Sequence, residues 1–132
     1  MLVIALTFAV GGAAGAAKKQ HKKRGNRTTV SLTQASSTRF TGTVGSRLGA
    51  CVGMRAVTLY YTDPNTLQTQ PLSVQRTGGK GKYEVDLPRA AFTGSYHVTV
   101  DQRKVQAKGS KETCKAAQSR SIAVVGQPPA LS

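Results

Sequence analysis

Beyond residue 27 the chain shows no long helical period. It is a succession of short runs in which apolar and polar residues alternate, cut at close intervals by Gly, Pro, Asn or Asp. Alternation of period two gives a strand one dry face and one wet face, and helices cannot use it. Val30 and Leu32 share a face in 28–33, and Phe40, Gly42 and Val44 share one in 39–44. Val57, Leu59 and Tyr61 stand opposite Thr58 and Tyr60 in 56–62, and Leu72 and Val74 opposite Ser73 and Gln75 in 72–77. Tyr83, Val85 and Leu87 point inward in 82–87, Tyr96, Val98 and Val100 in 95–101, and Ile122 and Val124 share a face in 121–125. Asp63-Pro64-Asn65 predicts a turn, Gly78-Gly79-Lys80-Gly81 a hairpin turn, and Ala90 to Phe92 a single helical turn. Seven short strands in about 100 residues predict an all-β antiparallel β-sandwich of two sheets, each with one solvated face.

The N-terminus carries a different signal. Leu2 to Val10 is apolar except for Thr7, Gly11 to Ala17 is entirely Gly and Ala, and a dense basic cluster follows. Ala14-Gly15-Ala16 and Gly15-Ala16-Ala17 both fit the small-x-small cleavage rule of a secretory signal peptide. The expected mature chain starts at Ala17 or Lys18, is secreted, and keeps no stable membrane insertion. No Lys or Arg precedes the apolar run, which fits a start assigned too far downstream. An uncleaved N-terminal anchor is the alternative, since a run of about 17 residues lies at the lower edge of the spanning range. No cysteine lies near enough to the cleavage region to carry lipid. The expected organisation is a signal peptide over 1–17, a basic flexible arm over 18–27, a β-sandwich domain over 28–126 and a flexible tail over 127–132.

An exported chain with an even cysteine count reads as disulfide-bonded, so Cys51 and Cys114 are expected to pair. The bridge would tie the loop before the third strand to the loop before the last and clamp the polar stretch 102–115.

Nineteen Lys and Arg face five acids, a formal charge of +14 over 132 residues. Six cations form the arm: Lys18, Lys19, Lys22, Lys23, Arg24 and Arg27. The remaining thirteen against five acids leave the body at +8. Such a field outside a cell favours anionic cell-surface polymers or glycans; nucleic acid is the alternative partner. Tyr60, with Arg55, Arg76 and Arg89, is a candidate aromatic and basic patch for such a polymer. The competing reading of Tyr60 is a cross-strand packing pair. Asn26-Arg27-Thr28 is a glycosylation sequon, relevant only in a eukaryotic secretory pathway.

The block GKGKYEVDLPRAAFTGSYHVTV, with Thr77, Gly81, Tyr83, Leu87, Pro88, Gly94 and Tyr96 in place, resembles the core of carboxypeptidase regulatory-like, transthyretin-like modules of secreted bacterial proteins. Phe40 to Val44 is similar to their opening strand and Ala56 to Leu59 to their second. The resemblance spans roughly 39–100. It departs where Gly78 stands in place of an acid, and where a loop holding Cys51 replaces a Pro-rich one. It implies an Ig-like or transthyretin-like sandwich used as a non-catalytic accessory for binding, spacing or stabilising a partner.

The residue inventory points away from catalysis. His97 is the one histidine of the body and falls on a strand, and no Gly-x-Ser-x-Gly elbow occurs. Glu84 and Asp86 share a strand face among cations and read as surface counter-charges rather than a glycosidase pair. Asp63 and Asn65 are better explained by a turn than by calcium. Gly78 to Lys82 precedes a strand, whereas a phosphate loop needs a helix there. The chain is therefore expected to be no enzyme, with no cofactor, no metal and no evident small-molecule substrate.

Overall fold

The computed structural model describes residues 25–107 and 109–128. The alternating runs become strands β1 (Thr28–Val30), β2 (Thr33–Ser36), β3 (Arg39–Ser46), β4 (Ala56–Thr62), β5 (Thr69–Arg76), β6 (Lys82–Asp86) and β7 (Gly94–Val100). They continue as β8 (Arg103–Ala107), β9 (Ser110–Cys114), β10 (Ala117–Gln118) and β11 (Ile122–Val124), and a single 3-10 turn covers Gly49–Cys51.

β1 and β2 pair in succession along the same strand, β3, from Thr28 opposite Ser46 to Ser36 opposite Arg39. They act as one edge strand broken at Ser31-Leu32. β6 lies on the other side of β3. In the second sheet β4 sits between β5 and β7, and β10 and β11 share the far edge of β7 as another interrupted strand. All these pairings are antiparallel, so the chain is an all-β, Ig-like sandwich with three strand positions in one sheet and four in the other.

The predicted inward residues meet between the sheets. Phe40, Val44, Tyr83 and Val85 of the first sheet pack on Val57, Leu59, Tyr61, Tyr96, Val98, Val100 and Val124 of the second. With no Trp, aromatic contacts concentrate on Tyr96, whose ring lies 4.9 Å from that of Phe40 and 5.1 Å from that of Tyr61. Its hydroxyl donates to the Phe92 carbonyl at 2.9 Å, the tyrosine corner common in Ig-like sandwiches. The Tyr83 hydroxyl reaches across β3 to the Ser31 carbonyl. Gly42 makes that possible, because a Cβ there would lie 2.4 Å from the phenol oxygen and 2.1 Å from the carbonyl.

Burial raises the Tyr83 phenol and pushes that of Tyr96 up to about 12. Unfolded tyrosine ionises near 10, so above about pH 10 the unfolded chain sheds protons that the folded one keeps. Stability present below that pH is then lost as pH rises through the folded value, by about 3 kcal/mol for Tyr96 alone. Urea midpoints measured from about pH 9 to 12 should fall, and Tyr96→Phe should flatten the fall. A midpoint constant across that range would contradict the burial of both phenols.

Six local expectations are corrected. The Gly78–Gly81 segment is not a hairpin turn, because β5 and β6 belong to different sheets. It crosses between them and is pinned to β3: the Val44 N–H donates to the Gly81 carbonyl at 2.8 Å. Gly81 has φ +86°, and a Cβ there would lie 2.3 Å from the Val44 carbonyl. On β5, Val74 faces out, because the register sets it opposite Thr58, on the outer face of β4. Ala90 to Phe92 is no helical turn; Phe92 bridges Gln127, and the Thr93 N–H donates to the Gln127 carbonyl at 2.6 Å. Backbone pairing therefore orders Gln127, the first residue of the predicted tail.

Likewise the end of the predicted arm is docked, not loose. The Asn26 N–H donates to the Thr113 carbonyl at 2.7 Å, and its side-chain amide donates to Glu112 at 3.0 Å. Such pairing needs no apolar side chain. Lastly, the polar stretch 102–115 folds as the β8–β9 hairpin, turning through Gly109 at φ +78°. Val105 is its one large apolar residue, so alternation could not reveal it. The turn predicted at Asp63 is present: its carboxylate accepts from the Asn65 N–H at 2.7 Å. The predicted signal peptide, most of the arm and the last four residues lie outside the described residues.

Candidate functional site

Cys51 and Cys114 are bonded, with 5.4 Å between their Cα atoms, and neither is exposed. The pairing is as expected, but the bridge joins the 3-10 turn to the end of β9, a strand that the sequence did not reveal. Around it lies an arrangement that sequence reading missed. Arg55, at the entry to β4, is 1% exposed. Its guanidinium donates to the carbonyls of Cys51 at 2.6 Å, Asp101 at 2.7 Å and Lys115 at 3.2 Å, and to the Thr28 hydroxyl at 3.4 Å. Arg103 donates to the carbonyls of Met54, Gly53 and Ala50 at 2.8–3.0 Å. Thr77 donates to the Val52 carbonyl at 2.9 Å. Every carbonyl from Ala50 to Met54 is thus held by a side chain from elsewhere in the fold. Burial, and then the neighbouring Arg103, lower the Arg55 guanidinium, against an opposing pull from Asp101.

Arg55 is therefore a correction: it is a structural cation, and a polymer cannot reach it. Nor does Tyr60 join a basic patch. It lies opposite His97 on β7, with ring centroids 5.1 Å apart and planes 12° from parallel, a cross-strand pair. Burial lowers His97, which favours the neutral ring in this stack. The groove beside Tyr60 is lined by Thr99, Val100, Asp101, Ala116, Ala117 and Gln118, with no arginine. Arg76 closes β5 opposite Ala56, at the far end of β4 from the β4–β5 turn, and Arg89 sits in the exposed β6–β7 connection. The four residues are not brought together.

A different surface is. On the outer face of the first sheet, Ser31, Thr33, Thr41 and Thr43 line a shallow groove of about 680 Å³ flanked by Lys82 and Arg76. Register makes it: Thr33 stands opposite Thr41, and Thr43 opposite Lys82. The Ser31 and Thr43 hydroxyls are 3.2 Å apart. Glu84 lies at the same groove, but with Asp86 it holds Arg39, at 3.4 and 2.7 Å. The outward residues of two alternating runs would have shown the hydroxyls; the contribution of Arg76 from the other sheet had no local signal.

Hydroxyls that both donate and accept, beside two cations, can hold an anionic, hydroxyl-bearing chain. Among the described residues no group of three His, Cys, Asp or Glu converges as a metal site would require. Among them, too, no helix is long and apolar enough to cross a membrane.

Fold and surface together define a disulfide-bridged, Ig-like β-sandwich with a polar, basic outer face. Comparison with known protein families, with curated proteins and with solved structures finds no match.

Proposed function

We propose that this chain is a secreted, non-catalytic binding module that rests against anionic polymers or glycans outside the cell. The hydroxyl and cation groove on the first sheet is its contact face, and the Lys18–Arg27 arm adds long-range attraction. The observation that carries this reading is the fate of the charges. Among the described residues, the ion pairs belong to Arg39 alone, so the exposed Arg76, Lys82 and Arg89 keep their charge for an external partner. Secretion is supported by the apolar N-terminal run ending in small residues and by the buried disulfide. The resemblance to carboxypeptidase regulatory-like modules supports an accessory role in a bacterial secreted setting.

Binding to teichoic acid, hyaluronate and duplex DNA, titrated with salt, tests this. Arg76→Glu with Lys82→Glu should weaken teichoic acid or hyaluronate binding about tenfold at about 0.15 M salt. The same charge change on the hairpin, Lys104→Glu with Lys111→Glu, should cost about twofold. Equal losses from the two pairs would refute the groove as the contact face. Tighter binding to DNA than to either polymer would favour a nucleic-acid-binding protein instead. Intact mass of the exported product should show a start at Ala17 or Lys18; an unprocessed intracellular product would refute secretion.

A further inference from the structure

The second sheet ends in an edge that is open and apolar. β5 pairs with β4 on one side, and no described strand lies on the other. Such an edge offers a row of unpaired N–H and C=O groups, and proteins usually blunt it with charge, Pro or a cover. Here Pro71 stands opposite Tyr60, and Arg76 is the single charge, at the end of the strand. Between them Leu72 is 39% exposed and Val74 60%, two of the five large apolar residues on the described surface. Pro71 and the bulge at Leu72, where the pairing with β4 slips, blunt only the start of the edge, and the exposed, apolar Val74 stands beyond them.

Beside Leu72 the gap between the sheets is not filled. A cavity of about 180 Å³ opens there, walled by Leu72, Leu87, Ala91, Phe92 and Tyr96, with Arg89 at its rim. Drug-sized ligands need roughly 300 Å³ or more, whereas a cavity of about 150 Å³ accepts a benzene ring. The space therefore suits one aromatic or branched aliphatic side chain. No acid lines it, and the exposed Arg89 has no ion-pair partner among the described residues. With Arg76 at the far end of β5, both ends of the edge are positive.

We propose that the β5 edge and the cavity beside it dock an extended, acidic polypeptide segment, which adds as a strand and lodges one apolar side chain beside Arg89. Backbone pairing along residues 72–75 supplies affinity, the cavity selects the anchor side chain, and the two arginines select acidic flanks. This site goes beyond the polymer-binding reading; the two share Arg76 and the charge of Arg89, but the Leu72 cavity belongs to the β5 edge alone and Lys82 to the groove alone, so either can fail by itself.

A displayed library of random peptides of about nine residues, selected against the full chain, provides the probe. The enriched peptides should be acidic with one central Phe, Leu or Ile. Leu72→Arg separates this site from general attraction: it adds a positive charge yet blocks the cavity. The selected peptides should lose about tenfold or more in affinity for Leu72→Arg, and about threefold for Arg89→Gln. Backbone amide shifts on peptide binding should concentrate in 69–76 and 87–92. Three results would overturn the proposal: no enrichment, binding unchanged or tightened by Leu72→Arg, or shifts confined to the basic arm. A concentration-dependent dimer abolished by Leu72→Arg would also overturn it, by assigning the edge to a second copy of the chain.

Discussion

Arg55→Ala is expected to destabilise the oxidised protein by about 4 kcal/mol, because it strips the donors from several buried acceptors at once. The side chain bonds three carbonyls drawn from the 3-10 turn, the residue after β7 and the segment after β9, together with the β1 hydroxyl of Thr28. Each buried acceptor left bare costs about 1–3 kcal/mol, and the vacated volume adds to that. Arg55→Lys keeps the charge but replaces a planar fork by a single ammonium, so about half the loss should remain. Arg76→Ala, whose side chain is exposed and donates only to the Met54 carbonyl at 3.3 Å, should stay within about 0.5 kcal/mol of the parent. Urea unfolding of the three variants measures this. An Arg55→Ala loss below about 1 kcal/mol would mean that water replaces the guanidinium freely and that it does not close this end of the sandwich.

Removing the disulfide should have an effect of similar size by a different route. Cys51 and Cys114 are 63 residues apart, and the chain-entropy model assigns a loop of that length about 4 kcal/mol, chiefly through the unfolded state. Cys51→Ala with Cys114→Ala should lower Tm by about 20 °C in a domain of this size. The Cys51 carbonyl is also an acceptor of Arg55, so the two changes touch the same segment. Combined with Arg55→Ala, the loss should fall short of the sum, because a turn freed of its bridge no longer holds its carbonyls in place. Thermal unfolding of the single, double and triple variants provides the cycle. Strict additivity would show that bridge and guanidinium act on separate parts of the fold.

The strands were largely legible in the chain. Val57, Leu59 and Tyr61, and Tyr96, Val98 and Val100, alternate so regularly that both central strands of the second sheet could be placed with their inward faces. Strands held by backbone pairing alone left no such trace. The β8–β9 hairpin has polar residues on both faces, and Asn26 and Gln127 are ordered through main-chain hydrogen bonds that any residue except Pro could supply. The polymer-binding candidates fared less well for a related reason. Nothing local separates Arg55, which is buried, from Arg76, which is exposed.

What the sequence determined by itself is the all-β class, the inward side of most strands and the pairing of its two cysteines. These follow from period-two alternation and from a count of two, and both are local or compositional. The tertiary structure decided which strands are neighbours, sending β5 and β6 to different sheets across the glycine turn. It also decided what each cation does: Arg55 and Arg103 hold carbonyls, Arg39 holds two acids, and Arg76 and Lys82 flank one groove from separate sheets. Alternation records which way a side chain points but not what it meets. A cation's role is set by acceptors distant in sequence, and only the packed chain brings those within reach.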